Sequence, residues 1–275
     1  LISKYPLLKE VFPENILDGM KGMDKKTRDS FSKDWKENLS NNVKHHLPEA
    51  GWANDCGLLD FGRNKALLFI GSGPSLKRNE DVLKDIVLED GMRRIEDQAF
   101  IFAAPNHQIK PCLEKGITPH FALIVDSSPH LKDQMDVGED GKHVILIASL
   151  TTHPDVIATW PGPVKFILQK NEMIHGFYEE VSGEKVDKNR CVVEGGNITN
   201  FSFTLALGFF RCPVWMCVGV DYGAPAMDNI KDRRAGHYAD GNYETNKKSK
   251  RDEAAHKLAW PGIKFINSPL ILPGH

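Results

Sequence analysis

The chain lacks any run of about 20 uninterrupted apolar residues, the length a membrane-spanning helix needs. Its most apolar stretch, Ile198 to Val220, is broken by Asn200, Arg211 and Pro213, so no membrane span is expected. It also lacks an excess of one charge: 35 Lys and Arg stand against 37 Asp and Glu, a formal net charge of -2. No global field therefore recruits nucleic acid or an anionic membrane, and any phosphate binding must be local. Cysteine is scarce. The five thiols (Cys56, Cys112, Cys191, Cys212 and Cys217) are odd in number and form no C-x-x-C pair, which argues against a disulfide framework or structural zinc. Their place in apolar runs such as Val214-Trp215-Met216-Cys217-Val218 predicts reduced, buried thiols and a cytoplasmic protein. None of the eleven histidines falls in H-E-x-x-H or a comparable spacing, so no metal is assigned. No signal-peptide pattern opens the sequence, and no repeat or low-complexity tract interrupts it.

What is present is the composition of a folded globular protein: 275 residues, 41% hydrophobic, 26% charged and 9% aromatic. A chain of this length buries roughly 70–75% of the surface its unfolded form exposes. Residues 1–58 are rich in Lys, Asp, Glu and Asn, with Met23, Phe31 and Trp35 at helical spacing. They read as a helical N-terminal segment that packs against the main domain. From residue 59 to 275, short apolar runs alternate with amphipathic segments. The runs are Ala66–Ile70, Ala99–Ala104, Phe121–Val125, Val144–Ala148, Val164–Leu168, Val214–Val220 and Ile263–Ile266. Helices are expected at Glu80–Glu89, Ile109–Lys115, Pro154–Thr159 and Ile198–Phe210, the last apolar on nearly every side and therefore buried. Continuous apolar strands separated by helices predict an α/β fold, a doubly wound, mostly parallel Rossmann-like sheet covered on both faces. A polar insertion at about 228–257, with Lys247, Lys248, Lys250 and Arg251, reads as a loop or lid.

The first strand runs into Gly71-Ser72-Gly73-Pro74-Ser75-Leu76. Open α/β sheets bind ligands at the carboxyl ends of their strands, and glycines there let backbone N–H groups approach a phosphate while Ser72 and Ser75 add hydroxyls. Leu76 stands where G-x-G-x-x-G needs its third glycine, and no G-K-[ST] follows, so a dinucleotide oxidoreductase and a Walker-type NTPase are both disfavoured. The second strand ends at Asn106, an amide able to read a base or ribose, and the third at Asp126-Ser127. Glu194-Gly195-Gly196-Asn197 opens the buried helix with a bare N-terminus suited to an anion, and a later strand ends Gly219-Val220-Asp221. One nucleotide bound by all of these tips is the economical account.

This set, together with Gly116-Ile117-Thr118-Pro119-His120, resembles the motility accessory factor and MptE-like family over about residues 60 to 225. The segment with Trp35, Glu37 and Asn38 is similar to the one preceding that domain in bacterial members. The archaeal members are 6-hydroxymethyl-dihydropterin diphosphokinases using ATP and Mg²⁺, and the bacterial ones are linked to adding nonulosonic acids to flagellin. The core also resembles bacterial CMP-sialyltransferases, in which a similar turn and a following Asn bind the CMP donor. The resemblance implies that Gly71, Ser72, Gly73, Pro74, Ser75 and Asn106 contact a nucleotide, with Asp126 and Asp221 lining the same crevice. The sequence departs from the family after Asp221, where Tyr222-Gly223-Ala224-Pro225 leads into the insertion. The candidate catalytic residues are Asp221 and, within that insertion, His237, the best-placed candidate base by position. The expected function is nucleotide-dependent transfer, foremost of a glycosyl group from a CMP-activated sugar to an unknown acceptor. The alternatives are Mg-ATP-dependent diphosphoryl transfer to a pterin-like alcohol, with Asp126 and Asp221 holding Mg²⁺, and an inactive nucleotide-binding module. No permanently bound cofactor is expected.

Overall fold

Apolar strands buried on both faces must pair with one another and then be covered twice, and the arrangement of this chain follows from that. The computed structural model describes residues 14–94, 96–193 and 197–220. Helix α1 (Glu14–His45) and the short α2 (Leu47–Ala50) come first, followed by β1 (Ala66–Ile70), α3 (Glu80–Gly91), β2 (Phe100–Pro105) and α4 (Asn106–Glu114). Next are β3 (Phe121–Ile124), α5 (Lys132–Met135), β4 (Ile145–Ser149), α6 (Pro154–Thr159), β5 (Val164–Gln169) and α7 (Glu172–Ser182). The two-residue β6 (Cys191–Val192), α8 (Ile198–Thr204) and β7 (Val214–Val218) complete the described elements.

All seven strands are parallel, in the order β6-β5-β4-β3-β2-β1-β7. Five successive crossovers step one way from β1 to β6. Right-handed crossovers in one direction leave their helices on one face, and only the long return from β6 to β7 covers the other. Along β1, Leu68 and Ile70 enter a cluster with Leu39, Leu83, Ile109, Ile157 and Tyr178 from α1, α3, α4, α6 and α7. Leu67 and Phe69 point the opposite way, toward Phe201, Leu205, Phe209 and Phe210. The α/β reading of the sequence therefore holds, with the winding direction reversing once, between β1 and β7.

Several local expectations are corrected. Helix α4 starts at Asn106, three residues before the expected Ile109, because Pro105 ends β2 in an extended conformation and leads straight into the first turn. The helix from Ile198 is α-helical only to Thr204 and continues as a π-turn over Leu205–Phe210. It is buried along most of its length, although Phe203 is 44% exposed against Trp215. Two of the five thiols are buried, Cys112 and Cys212, whereas Cys56 and Cys217 are exposed. Cys217 lies on β7, which has no strand beyond it among the described residues, so Val214 and Met216 stay exposed as well. Burial pushes the Cys212 thiol up to about 11. The expected strand Ile263–Ile266 and the insertion at 228–257 lie outside the described residues. Among the described residues no helix is long and apolar enough to cross a membrane.

Helix α1 is tied to the sheet by two asparagines one turn apart. Asn38 donates from Nδ2 to the carbonyls of Ser127 and Thr151, both at 3.0 Å. Asn42 donates to those of Leu150 at 2.8 Å and Thr152 at 2.7 Å. Both side chains are buried, and the carbonyls belong to the loops that leave β3 and β4 at their carboxyl ends. Replacing Asn42 with Ala leaves two buried carbonyls unpaired, and an unsatisfied buried group costs about 1–3 kcal/mol. The Asn42→Ala chain should lose about 2–3 kcal/mol in urea unfolding; unchanged stability would show that α1 does not dock here.

The Gly116-Ile117-Thr118-Pro119-His120 segment serves the amino end of β3, opposite the strand tips. His120 accepts the Phe102 N–H at Nδ1 (3.0 Å), which leaves Nε2 to donate to Gln98 Oε1 (3.1 Å), and its ring stacks on Phe102. Burial, aided by Lys65 and opposed by Asp90, holds the imidazole below its ordinary 6.5. The fold thus binds the neutral ring. Its contribution is complete above the unfolded value and is lost as pH falls below about 6.5. Urea midpoints measured down this range should fall more steeply in the wild-type chain than in His120→Asn, whose amide keeps the Phe102 contact but does not titrate. Equal slopes would place the pH sensitivity elsewhere.

Candidate functional site

Parallel strands deliver their carboxyl ends to one edge of the sheet, about 4.8 Å apart from neighbour to neighbour. Reading across that edge, β3, β2, β1 and β7 end in succession with Asp126-Ser127, Asn106-His107, Gly71-Ser72-Gly73 and Gly219-Val220. The reversal of winding direction falls between β1 and β7, and such a switch point is where open α/β sheets leave a crevice for a ligand.

The seam between β1 and β7 continues past the last ladder pair. Gly71 N–H donates to Val218 O and Gly73 N–H to Gly219 O, both at 2.7 Å. A Cβ on Gly71 would sit 2.3 Å from Gly219 O, and one on Gly219, itself at φ +68°, would sit 2.5 Å from Gly71 O. This corrects the reason for the glycines. Gly71 lets two strand ends touch rather than exposing its N–H to a phosphate, and the N–H of Gly73 is spent on the same seam. Pro74 has no N–H to give, and the Ser75 carbonyl accepts from Asn79 Nδ2 at 2.9 Å. Ser72 keeps its N–H without a backbone partner among the described residues.

Its hydroxyl meets His107 Nε2 at 2.7 Å. His107 is the second residue of α4, whose N-cap Pro105 has no side-chain group to cap it. Sequence reading singled out Asn106 but passed over its neighbour, because only a helix beginning at Asn106 turns His107 toward the β1 turn. Asn106 donates to Gln134 Oε1 on α5 at 2.9 Å, a second partner that nothing in the sequence announced. Asp126 is exposed, and its Oδ1 accepts the Ser128 N–H at 2.9 Å, so it orders the turn after β3 and keeps Oδ2 for other partners. Ser127 is buried beneath it, its carbonyl held by Asn38.

Asn197 caps α8 as expected, accepting the Asn200 N–H at 2.8 Å. That helix leaves the β6 side of the sheet and packs beneath β2 and β3, whereas the Gly71–Ser75 turn is bonded to the end of β7. Gly195, Gly196, Asp221 and His237 lie outside the described residues. Among the described residues no three His, Cys, Asp or Glu side chains are grouped to hold a metal ion. A depression of about 300 Å³ lined by Lys110, Glu114, Asp136 and Asp140 opens at the far end of α4, away from the strand tips.

The family described as 6-hydroxymethylpterin diphosphokinase MptE-like matches residues 35–226. No curated protein matches the chain. The structure of MAf glycosyltransferase from Magnetospirillum magneticum AMB-1 is similar at 20% identity and a TM-score of 0.44, over 65% of this chain and 29% of that one. The chain thus spans under a third of the length of that protein.

The seam makes a specific prediction. Gly71→Ala and Gly219→Ala should each destabilise the protein by about 1–3 kcal/mol, since backbone must shift to admit a methyl group. Because the two share one contact, the double variant should lose less than the sum. Additive losses in denaturant unfolding would show that the strand ends do not touch.

Proposed function

Because the chain belongs to the 6-hydroxymethylpterin diphosphokinase MptE-like family, we propose that it is a nucleotide-dependent transferase whose donor phosphate lies at the reversal between β1 and β7. The observation that carries this reading is the meeting of Ser72 and His107 at the carboxyl edge of the sheet, with Asn106 preceding His107 at the start of α4 and Gly219 across the seam. The Ser72 N–H and hydroxyl, beside the positive end of α4, would supply donors for an anion. Donors fixed before the reaction stabilise a departing phosphate without reorganisation, which is where such a site lowers the barrier most.

The lead chemistry is glycosyl transfer from a CMP-activated sugar, supported by the likeness of the Gly71–Leu76 turn and Asn106 to CMP-sialyltransferases. In that reaction the sugar–phosphate C–O bond breaks, CMP leaves with its electron pair, and a base takes the proton of the acceptor hydroxyl as the new C–O bond forms. His237 remains the candidate base. The family description favours a second reading, diphosphoryl transfer from ATP to a pterin-like alcohol. There Asp126 Oδ2, with Asp221, would hold Mg²⁺, which neutralises charge on the phosphates.

A thermal-shift panel of CMP, CDP, CTP, ATP and GTP, each with and without Mg²⁺, separates these readings. A ligand at 100 times its Kd stabilises the folded state by about 2.7 kcal/mol. Selective protection by cytidine nucleotides is the expected outcome, and protection only by ATP with Mg²⁺ selects the diphosphokinase. Protection by none of them would overturn the nucleotide reading.

A further inference from the structure

We infer that His107 is a positioning residue that turns the Ser72 hydroxyl toward the donor phosphate, so that the two side chains act as one anion-recognising unit. The inference rests on the nucleotide reading above and adds to it the direction of one hydrogen bond. The β1–β7 seam consumes the N–H groups of Gly71 and Gly73, and Pro74 supplies none, while Ser72 offers a ligand both an N–H and a hydroxyl. A serine hydroxyl has one hydrogen to give and lone pairs to accept with. At 2.7 Å from His107 Nε2, that hydrogen goes to one of two places.

If Nε2 is the acceptor, the Ser72 hydrogen points at the ring and the hydroxyl offers an approaching phosphate only lone pairs, which repel it. If Nε2 carries a hydrogen and donates to Ser72 Oγ, the serine hydrogen is released toward the strand tips. The chain then runs Nε2–H to Oγ–H to phosphate oxygen, each link polarising the next. An anion bound at the turn selects the second arrangement, because only there does the Ser72 hydrogen, rather than a lone pair, face a phosphate oxygen. The nine-residue α4 holds His107 in its first turn, so the ring approaches Ser72 from the helix end that itself favours negative charge. No bond is made or broken in this role, and His107 need not touch the ligand to exert it.

The experiment compares isothermal titration of CMP, and of ATP with Mg²⁺, into the wild-type chain and the variants Ser72→Ala, His107→Ala, Ser72→Ala/His107→Ala, His107→Gln and His107→Glu. Melting temperatures are recorded for each without ligand. Ser72→Ala and His107→Ala should each weaken the nucleotide that binds by about tenfold, the size of one charge-assisted hydrogen bond, and the double variant should lose no more than either. His107→Gln, whose side-chain amide can donate at the Nε2 position, should recover most of the affinity. His107→Glu, nearly the same shape but an acceptor when ionised, should bind at least as weakly as His107→Ala.

Equal affinity for the Gln and Glu variants, or additive losses in the double variant, would overturn the inference while leaving the nucleotide site standing. Failure of both nucleotides to bind the wild-type chain would overturn the transferase reading and this inference with it. If His107→Ala melts too low to titrate, the Gln and Glu pair carries the test, since the two differ in hydrogen-bond direction and charge at one position.

Discussion

The backbone contact between Gly71 and Gly219 is the constraint on which the rest of the carboxyl edge depends. Two strand ends that continue to hydrogen-bond beyond their ladder cannot carry side chains where they meet, and here each would drive a Cβ to within 2.5 Å of the other's carbonyl. The contact closes β7 against β1 and so defines the point where the chain reverses its winding. It also commits two of the N–H groups in the glycine-rich turn. A turn that looks in sequence like a bare phosphate cradle is therefore mostly a seam, and Ser72 stands half-buried at its crest.

The same edge is held from the other side by helix α1. Asn38 and Asn42 place one amide each between pairs of carbonyls from the loops after β3 and β4, in surroundings that exclude water. Loop carbonyls buried in this way must be paired, and the helix supplies the donors. Beyond them, Ser149, Thr151 and Gln169 bond to one another in the interior. The N-terminal segment is thus part of what fixes the loops around the strand tips, and Leu39 shares the core of the sheet.

Residues of one type do unrelated work according to which end of the sheet they occupy. His120, before β3, is half-buried and bonds the backbone N–H of Phe102 and the Gln98 side chain, while His107, after β2 and equally half-buried, meets a serine at the carboxyl edge. Asn197 spends its side chain on its own helix, whereas Asn106 leads α4 and reaches across to Gln134. Such differences are positional. Chemistry gathers where parallel strands present their carboxyl ends, and the amino ends are left to packing.

By itself the sequence determined the fold class. Apolar runs such as Leu67–Ile70 and Leu146–Ala148 are too continuous for a one-sided sheet, and the amphipathic segments between them supply the covering helices. It also put Gly71–Ser75, Asn106 and Asp126 each directly after a strand, and so on one edge of a parallel sheet. Only the tertiary structure decided which of these tips are neighbours, since strand order is set by crossovers that no local pattern records. It alone showed that Gly71 is small in order to meet Gly219, that His107 meets Ser72, and that Asn38 and Asn42 satisfy carbonyls more than 80 residues away. Periodicity reports what a residue buries, but a hydrogen bond between distant segments exists only once the chain has brought them together.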